Sequence, residues 1–235
     1  LDNMATEHKQ LQLNHTIDLS DRLTLSTSAY YNDFHRNWYK TNKVGTYLRD
    51  DENQYILDDQ GQKEVGSESL AKGTVIAADF DAGLLEDPIF TQVKANNRDY
   101  LSQGIQSTLA IDLNDHQVKV GARYHEDEMD RFQWVDNYTI DQNYNITQIS
   151  AGVPGSDSNR IDSAKAIALF IHDEFSVGDF IINAGLRYED MTLERHDWGK
   201  LDSARDNTPS HKENDVENLL PSLAVTYKLS DDLLL

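Results

Sequence analysis

The chain has no cysteine and few cations: 21 Lys and Arg stand against 41 Asp and Glu, a formal net charge of −20 over 235 residues. Without thiols there is no disulfide framework, no thiolate nucleophile and no thiolate metal site. The shortage of positive charge argues against nucleic acid, whose phosphates need cationic partners. Long apolar runs are missing as well. No stretch of about 18 apolar residues occurs, so no transmembrane helix is encoded. Leu1-Asp2-Asn3-Met4 offers neither the basic nor the apolar region of a signal peptide. HExxH, GxSxG, Walker and dinucleotide-binding patterns are absent too. With 38% hydrophobic residues and a mean hydropathy of −0.64, the average composition reads as soluble.

What is present is a period of two. Leu11, Leu13, Ile17 and Leu19 alternate with polar residues, and after Ser20-Asp21 so do Leu23, Leu25, Thr27, Ala29 and Tyr31. Alternation returns with Leu101, Ile105, Leu109, Ile111 and Leu113. Past Asn114-Asp115 it continues with Val118, Val120, Ala122 and Tyr124. A third pair holds Ile167, Leu169, Ile171, Phe175 and Val177, then, past Gly178-Asp179, Ile182, Ala184, Leu186 and Tyr188. A last strand carries Leu219, Pro221, Leu223, Val225, Tyr227 and Leu229 before Ser230-Asp231-Asp232. Asp58-Asp59-Gln60-Gly61-Gln62 adds a turn inside a long polar segment.

Short turns and long polar segments therefore alternate. The predicted fold is all-β, an antiparallel up-and-down meander with short turns at one end and long loops at the other. Transmembrane β-barrels have this asymmetry, with short periplasmic turns and long extracellular loops, whereas compact soluble domains seldom carry structureless loops of such length. The segments 37–96, 126–163 and 189–217 have net charges of −5, −6 and −5, which is sixteen of the net twenty negative charges. They hide the apolar strands in any whole-chain average. Tyr31, Tyr124 and Tyr188 each lie eight residues into their strands, a rise of about 20 Å at about 3.3 Å per residue and a tilt of about 40°. That is close to the apolar band of an outer-membrane barrel, so these tyrosines are expected at the outer aromatic rim. Phe175, Phe180 and Tyr227 are expected at the periplasmic rim.

Several residues could carry chemistry. His125, Glu126, Asp127, Glu128 and Asp130 have a metal-cluster composition, but consecutive strand residues point to opposite faces, so the run reads as a solvated loop base. Asp50-Asp51-Glu52 and Asp157-x-Asn159 do not complete a calcium-loop pattern. His172 and Glu174 share a face and read either as an acid–base pair or, preferably, as polar residues of a barrel lumen. Arg123 and Arg187 belong to that polar face and either bind an anion bidentately or pair with lumen carboxylates or a plug. Trp38, Tyr39, Trp134, Tyr138 and Trp198, with Arg36, Arg131 and Arg195 nearby, are placed beyond the strand ends, as a ligand vestibule or as interfacial and loop packing.

Three phrases are similar to a known family. The hairpin from Ala166-Ile167-Ala168-Leu169-Phe170-Ile171-His172-Asp173-Glu174-Phe175 to Gly185-Leu186-Arg187-Tyr188-Glu189 is one. Leu220-Pro221-Ser222-Leu223 through Tyr227-Lys228-Leu229-Ser230-Asp231-Asp232 is another, and Tyr30-Tyr31-Asn32-Asp33-Phe34-x-Arg36-x-Trp38 is the third. Together they resemble the barrel portion of TonB-dependent outer-membrane receptors of the ferric-citrate and siderophore branch. The resemblance implies a 22-stranded plugged barrel in the bacterial outer membrane, in contact with its lipid. It implies import of a ferric chelate as cargo, with no cofactor, no enzymatic step and energy relayed by TonB through the plug. The chain departs from the full pattern: it reads as a partial barrel domain over 1–235, of about seven to eight strands, without plug, TonB-contacting box or terminal aromatic strand. A passive porin-like channel and a soluble acidic β-sandwich binding carbohydrate or calcium are the competing readings.

Overall fold

The computed structural model describes residues 3–57, 59, 61, 63–68, 76, 78–84, 87–230 and 233–234. The turns predicted at 58–62 and 231–232 lie partly or wholly outside these residues. Ten strands form one sheet: β1 (Asn3–Ser20), β2 (Leu23–Tyr47), β3 (Val65–Glu68), β4 (Ile89–Asp112), β5 (His116–Ile140), β6 (Ile146–Ser150), β7 (Ser158–Val177), β8 (Phe180–Asp197), β9 (Ser210–Ser230) and β10 (Leu233–Leu234). The order is β1-β2-β4-β5-β7-β8-β9-β10, with β3 added to β2 and β6 to β5. Every pairing is antiparallel, as the meander predicts. A single open sheet is not a sandwich, so the β-sandwich reading fails. Among the described residues no helix is long and apolar enough to cross a membrane, which says nothing against crossing by strands.

Why these segments pair is visible in one row of the ladder. Ile17, Leu25, Leu109, Val120, Ile171, Leu186 and Pro221 are successive cross-strand partners over seven strands. All are apolar and all lie on one face. That face stays uncovered: Leu13 is 68% exposed, Leu169 54% and Leu223 73%. Apolar surface costs about 25 cal/mol per Å² in water, and a continuous patch of this kind marks a membrane or partner contact. Asp173 interrupts the aliphatic face near the end with the short turns, where His116 pairs with its carboxylate at 2.7 Å.

The strands outrun the sequence expectation. β2, β4 and β5 have 25, 24 and 25 residues, where about 9–11 suffice to cross a bilayer. The polar segments expected as loops from 37, 126 and 189 onward are in large part strand. The reason is physical: the apolar alternation stops where an apolar environment stops, but the ladder joins backbones and continues under polar side chains. The short turns after β1, β4 and β7 lie where expected. Gly178, at φ +60°, occupies the first position of the two-residue β7–β8 turn, the conformation that favours glycine in such hairpins.

Candidate functional site

Constant register carries the face assignment upward from the apolar band. On the polar face, Arg36 is opposite Arg98, Arg98 opposite Arg131, and Arg131 opposite Arg160. Four guanidinium groups thus stand in one row across β2, β4, β5 and β7, in a chain of net charge −20. Arg195 of β8 joins them through Asp162, its register partner.

Asp162 is the one carboxylate bound to this row among the described residues. Arg195 donates Nε–H to it at 2.5 Å, Arg160 at 3.1 Å, and Arg131 Nε lies 3.7 Å away. Arg36 and Arg98 donate to the Tyr100 hydroxyl, each at 3.3 Å. The Nε atoms of Arg36, Arg98 and Arg131 are buried without a hydrogen-bond partner. Burial, then Arg160 and Arg98 on either side, pull Arg131 below the ordinary guanidinium value, though arginine stays protonated in proteins. Like charges directly opposite cost on the order of 0.2–1 kcal/mol per pair. An anion spanning the row would relieve three such pairs and satisfy the orphaned donors. A hollow of about 810 Å³ opens beside it, lined by Tyr100, Arg131, Asp162 and Arg195 among others.

The predicted vestibule residues divide between faces. Arg36, Trp38, Arg131 and Arg195 belong to the polar face. Tyr39, Trp134 and Tyr138 lie on the opposite one and Trp198 lies just past β8, with Tyr39 edge-on to Trp134 at 6.1 Å and Arg205 stacked on Trp198 at 4.7 Å. Most of these residues belong to strands, not loops, so parity separates them. The opposite face is also clad at this height. Val93, Ala95 and Asp136 are buried there, Gly152 N–H donates to Asp136 at 2.7 Å, and Arg205 grips Asp130 bidentately at 2.6 and 2.7 Å. Tyr39, Trp134 and Tyr138 thus share the clad face, whereas Trp38 shares the polar face with the arginines.

Lower on the polar face lie Arg123, His125, His172, Glu174 and Arg187. Arg123 donates to the Tyr30 hydroxyl at 2.8 Å, and that hydroxyl is 2.5 Å from His125 Nδ1. Arg187 pairs with Glu189 at 2.6 Å. His172 and Glu174 are not paired with each other. The acidic run after His125 splits as predicted, Asp127 with His125 on one face and Glu126, Glu128 and Asp130 on the other. Asp50 accepts the N–H groups of Glu52 and Gln54, closing its own turn. The six rim aromatics share the aliphatic face at two levels, Phe180 lying 5.0 Å from Tyr227.

Sequence reading missed Arg98, Arg160 and Asp162. Their only signal is cross-strand register, which no local pattern contains.

Comparison with known proteins agrees with this geometry. The β-barrel of TonB-dependent receptor-like proteins matches residues 2–235. Among solved structures the chain is similar to the siderophore receptor PiuA from Acinetobacter baumannii (TM-score 0.64, 14% identity, 98% of this chain and 31% of that one). It is also similar to the unliganded ferric citrate transporter FecA (0.57, 16%, 98% and 26%), and to the open form of the ferric-catecholate import receptor Fiu from E. coli K12 (0.55, 12%, 98% and 34%). The chain thus spans about a quarter to a third of the length of these receptors. Among curated proteins none matches the sequence. With the meander, the uncovered aliphatic face and this match over nearly its whole length, the chain belongs to the TonB-dependent receptor β-barrel family of the bacterial outer membrane.

Proposed function

We propose that this domain is part of the wall of an outer-membrane receptor that imports an anionic ferric chelate, a siderophore complex or ferric citrate, and that the row Arg36, Arg98, Arg131 and Arg160 holds it. The observation that carries this reading is the row itself: four guanidinium groups in register, only two of them, with Arg195, near a carboxylate, Asp162, in an otherwise acidic chain. Charge-assisted bonds from arginine to carboxylate or catecholate oxygens are short, directional and about twice as strong as neutral ones. The acidic surroundings repel anions at long range, so selection rests on contact within the row. The polar face is the lumen, the aliphatic face meets outer-membrane lipid, and TonB supplies energy through a plug. The ferric chelate is cargo, and no bond of it is made or broken.

Binding of ferric citrate and of a ferric catecholate to the protein in detergent tests this, followed by fluorescence quenching. At least one anionic chelate is expected to bind, and Arg98→Gln or Arg131→Gln to weaken it by about tenfold or more, since a hydrogen bond to a charged group contributes about 1.5–3 kcal/mol. Binding that is unchanged in both variants would refute the placement. Equal passage of neutral solutes without any saturable binding would favour a passive channel.

A further inference from the structure

We propose that Glu194, His211 and Glu213 form a binding site for a divalent transition metal of the zinc class on the outer wall of the sheet. β8 and β9 hold constant register here, which sets Glu194 opposite Glu213 and His196 opposite His211. All four residues lie on the face of Tyr188 and Leu219, beyond Tyr188 on the extracellular side. Register places them on the face opposite the arginine row, although Glu194 and Glu213 also border the hollow beside that row.

Two carboxylates placed directly opposite each other repel. Among the described residues no Lys or Arg lies within ion-pair distance of either. Their neighbour is His211, whose Nε2 is 3.9 Å from Glu194 Oε1 and 3.8 Å from Glu213 Oε2. Those separations are too long for hydrogen bonds. One donor atom from each residue falls within 4.8 Å of the others. An ion with ligand bonds of about 2.0–2.2 Å at tetrahedral angles would hold its donors about 3.4 Å apart. Closing on it asks about half an ångström of each His211 contact, within the side-chain freedom of a half-buried Glu194 and an exposed Glu213. His196 supplies a second, independent feature: it stacks on His211 with centroids 4.7 Å apart and planes at 20°, which limits how far the imidazole can swing away from the carboxylates.

The donor set decides the class of ion. Calcium and magnesium take oxygen ligands, whereas imidazole suits zinc and its first-row neighbours. Three protein ligands leave a position for water. An ion here would cross-link β8 to β9 at the base of the 198–209 loop, whose Arg205 reaches back to Asp130. Neither single-strand spacing nor any local motif marks the trio, because its members come from two strands joined only by register.

The test uses the protein in detergent, stripped with chelator and then titrated with Zn²⁺ alone by calorimetry and with Co²⁺ by visible absorption. One Zn²⁺ per chain is expected, with Co²⁺ d–d bands displaced by Zn²⁺. His211→Ala, Glu213→Gln and Glu194→Gln are each expected to weaken binding by more than about tenfold, the scale on which lost site residues act. Asp215→Asn, on the same face and strand, is expected to leave it unchanged. All these side chains are exposed or half-buried, so the variants retain the fold. Absence of Zn²⁺ binding would overturn the proposal. So would binding that survives the substitutions, or that Asp215→Asn weakens equally, since that would show general attraction to an acidic wall.

Discussion

Gly121 and Gly185 open two nearly identical phrases, Gly-Ala-Arg-Tyr-His and Gly-Leu-Arg-Tyr-Glu, and the polar face explains them. The Phe170 ring lies across Gly121, where an added Cβ would come within 2.2 Å of it. Arg187 sits over that ring as well, at 5.7 Å from its centroid. At Gly185 a Cβ would meet the Ser222 hydroxyl at 2.6 Å. Each glycine therefore makes room for a larger neighbour on the next strand. Gly121→Ala is expected to destabilise the protein by about 1–3 kcal/mol, the usual cost of overpacking. Phe170→Leu should recover part of that loss in the double variant, as a coupling in thermal or denaturant unfolding. Additive effects would show that the ring and the glycine are independent. The sequence showed that both glycines share the arginine-bearing face. It did not show what covers them, because Phe170 is 49 positions from Gly121 in sequence and adjacent only through the β5–β7 register.

At the scale of the element, the ends of the strands were the least legible feature. Periodicity reported where apolar side chains stop, and the backbone ladder continued past that point. β5 ends at Ile140, and the connection to β6 is built on Asp141, which accepts the N–H groups of Asn143 and Asn145 and the Asn145 side-chain amide, all at 2.9 Å. The Asn145 side chain, then its backbone N–H, hold the Asp141 carboxyl below its ordinary value of 3.8. A carboxyl depressed in the folded state stabilises fully above the ordinary value, and loses that contribution as pH falls through the depressed one. Pepsin is therefore expected to nick the 141–145 connection in the wild type only at pH below the ordinary carboxylate range. In Asp141→Ala, nicking is expected already at the mildest acidity where pepsin cuts. A wild-type connection cut equally at every pH would contradict this.

For the whole molecule, the two faces of one sheet answer to two solvents. Leu223 lies midway between Leu219 and Tyr227 on the aliphatic face of β9 and is 73% exposed. In a phospholipid bilayer, Leu223→Arg is expected to cost about 2–4 kcal/mol, the range for a cation near the midplane. Ser222→Arg, one residue away on the lumen side, should cost far less. Equal costs in urea unfolding from bilayers would mean that the aliphatic face does not meet lipid. The acidic composition, which by average reads as soluble, belongs to the segments above the rim tyrosines, where the carboxylates are wet.

The sequence by itself determined the all-β meander, the position of the short turns and the division of each strand into an apolar and a polar face. These follow from period two and turn chemistry, which are local. Only the tertiary structure decided which residues meet across strands. Arg36, Arg98, Arg131 and Arg160 form a row, and Glu194, His211 and Glu213 a cluster, because cross-strand register brings together residues from separate strands. Register depends on the pairing of whole strands, and no single segment carries it.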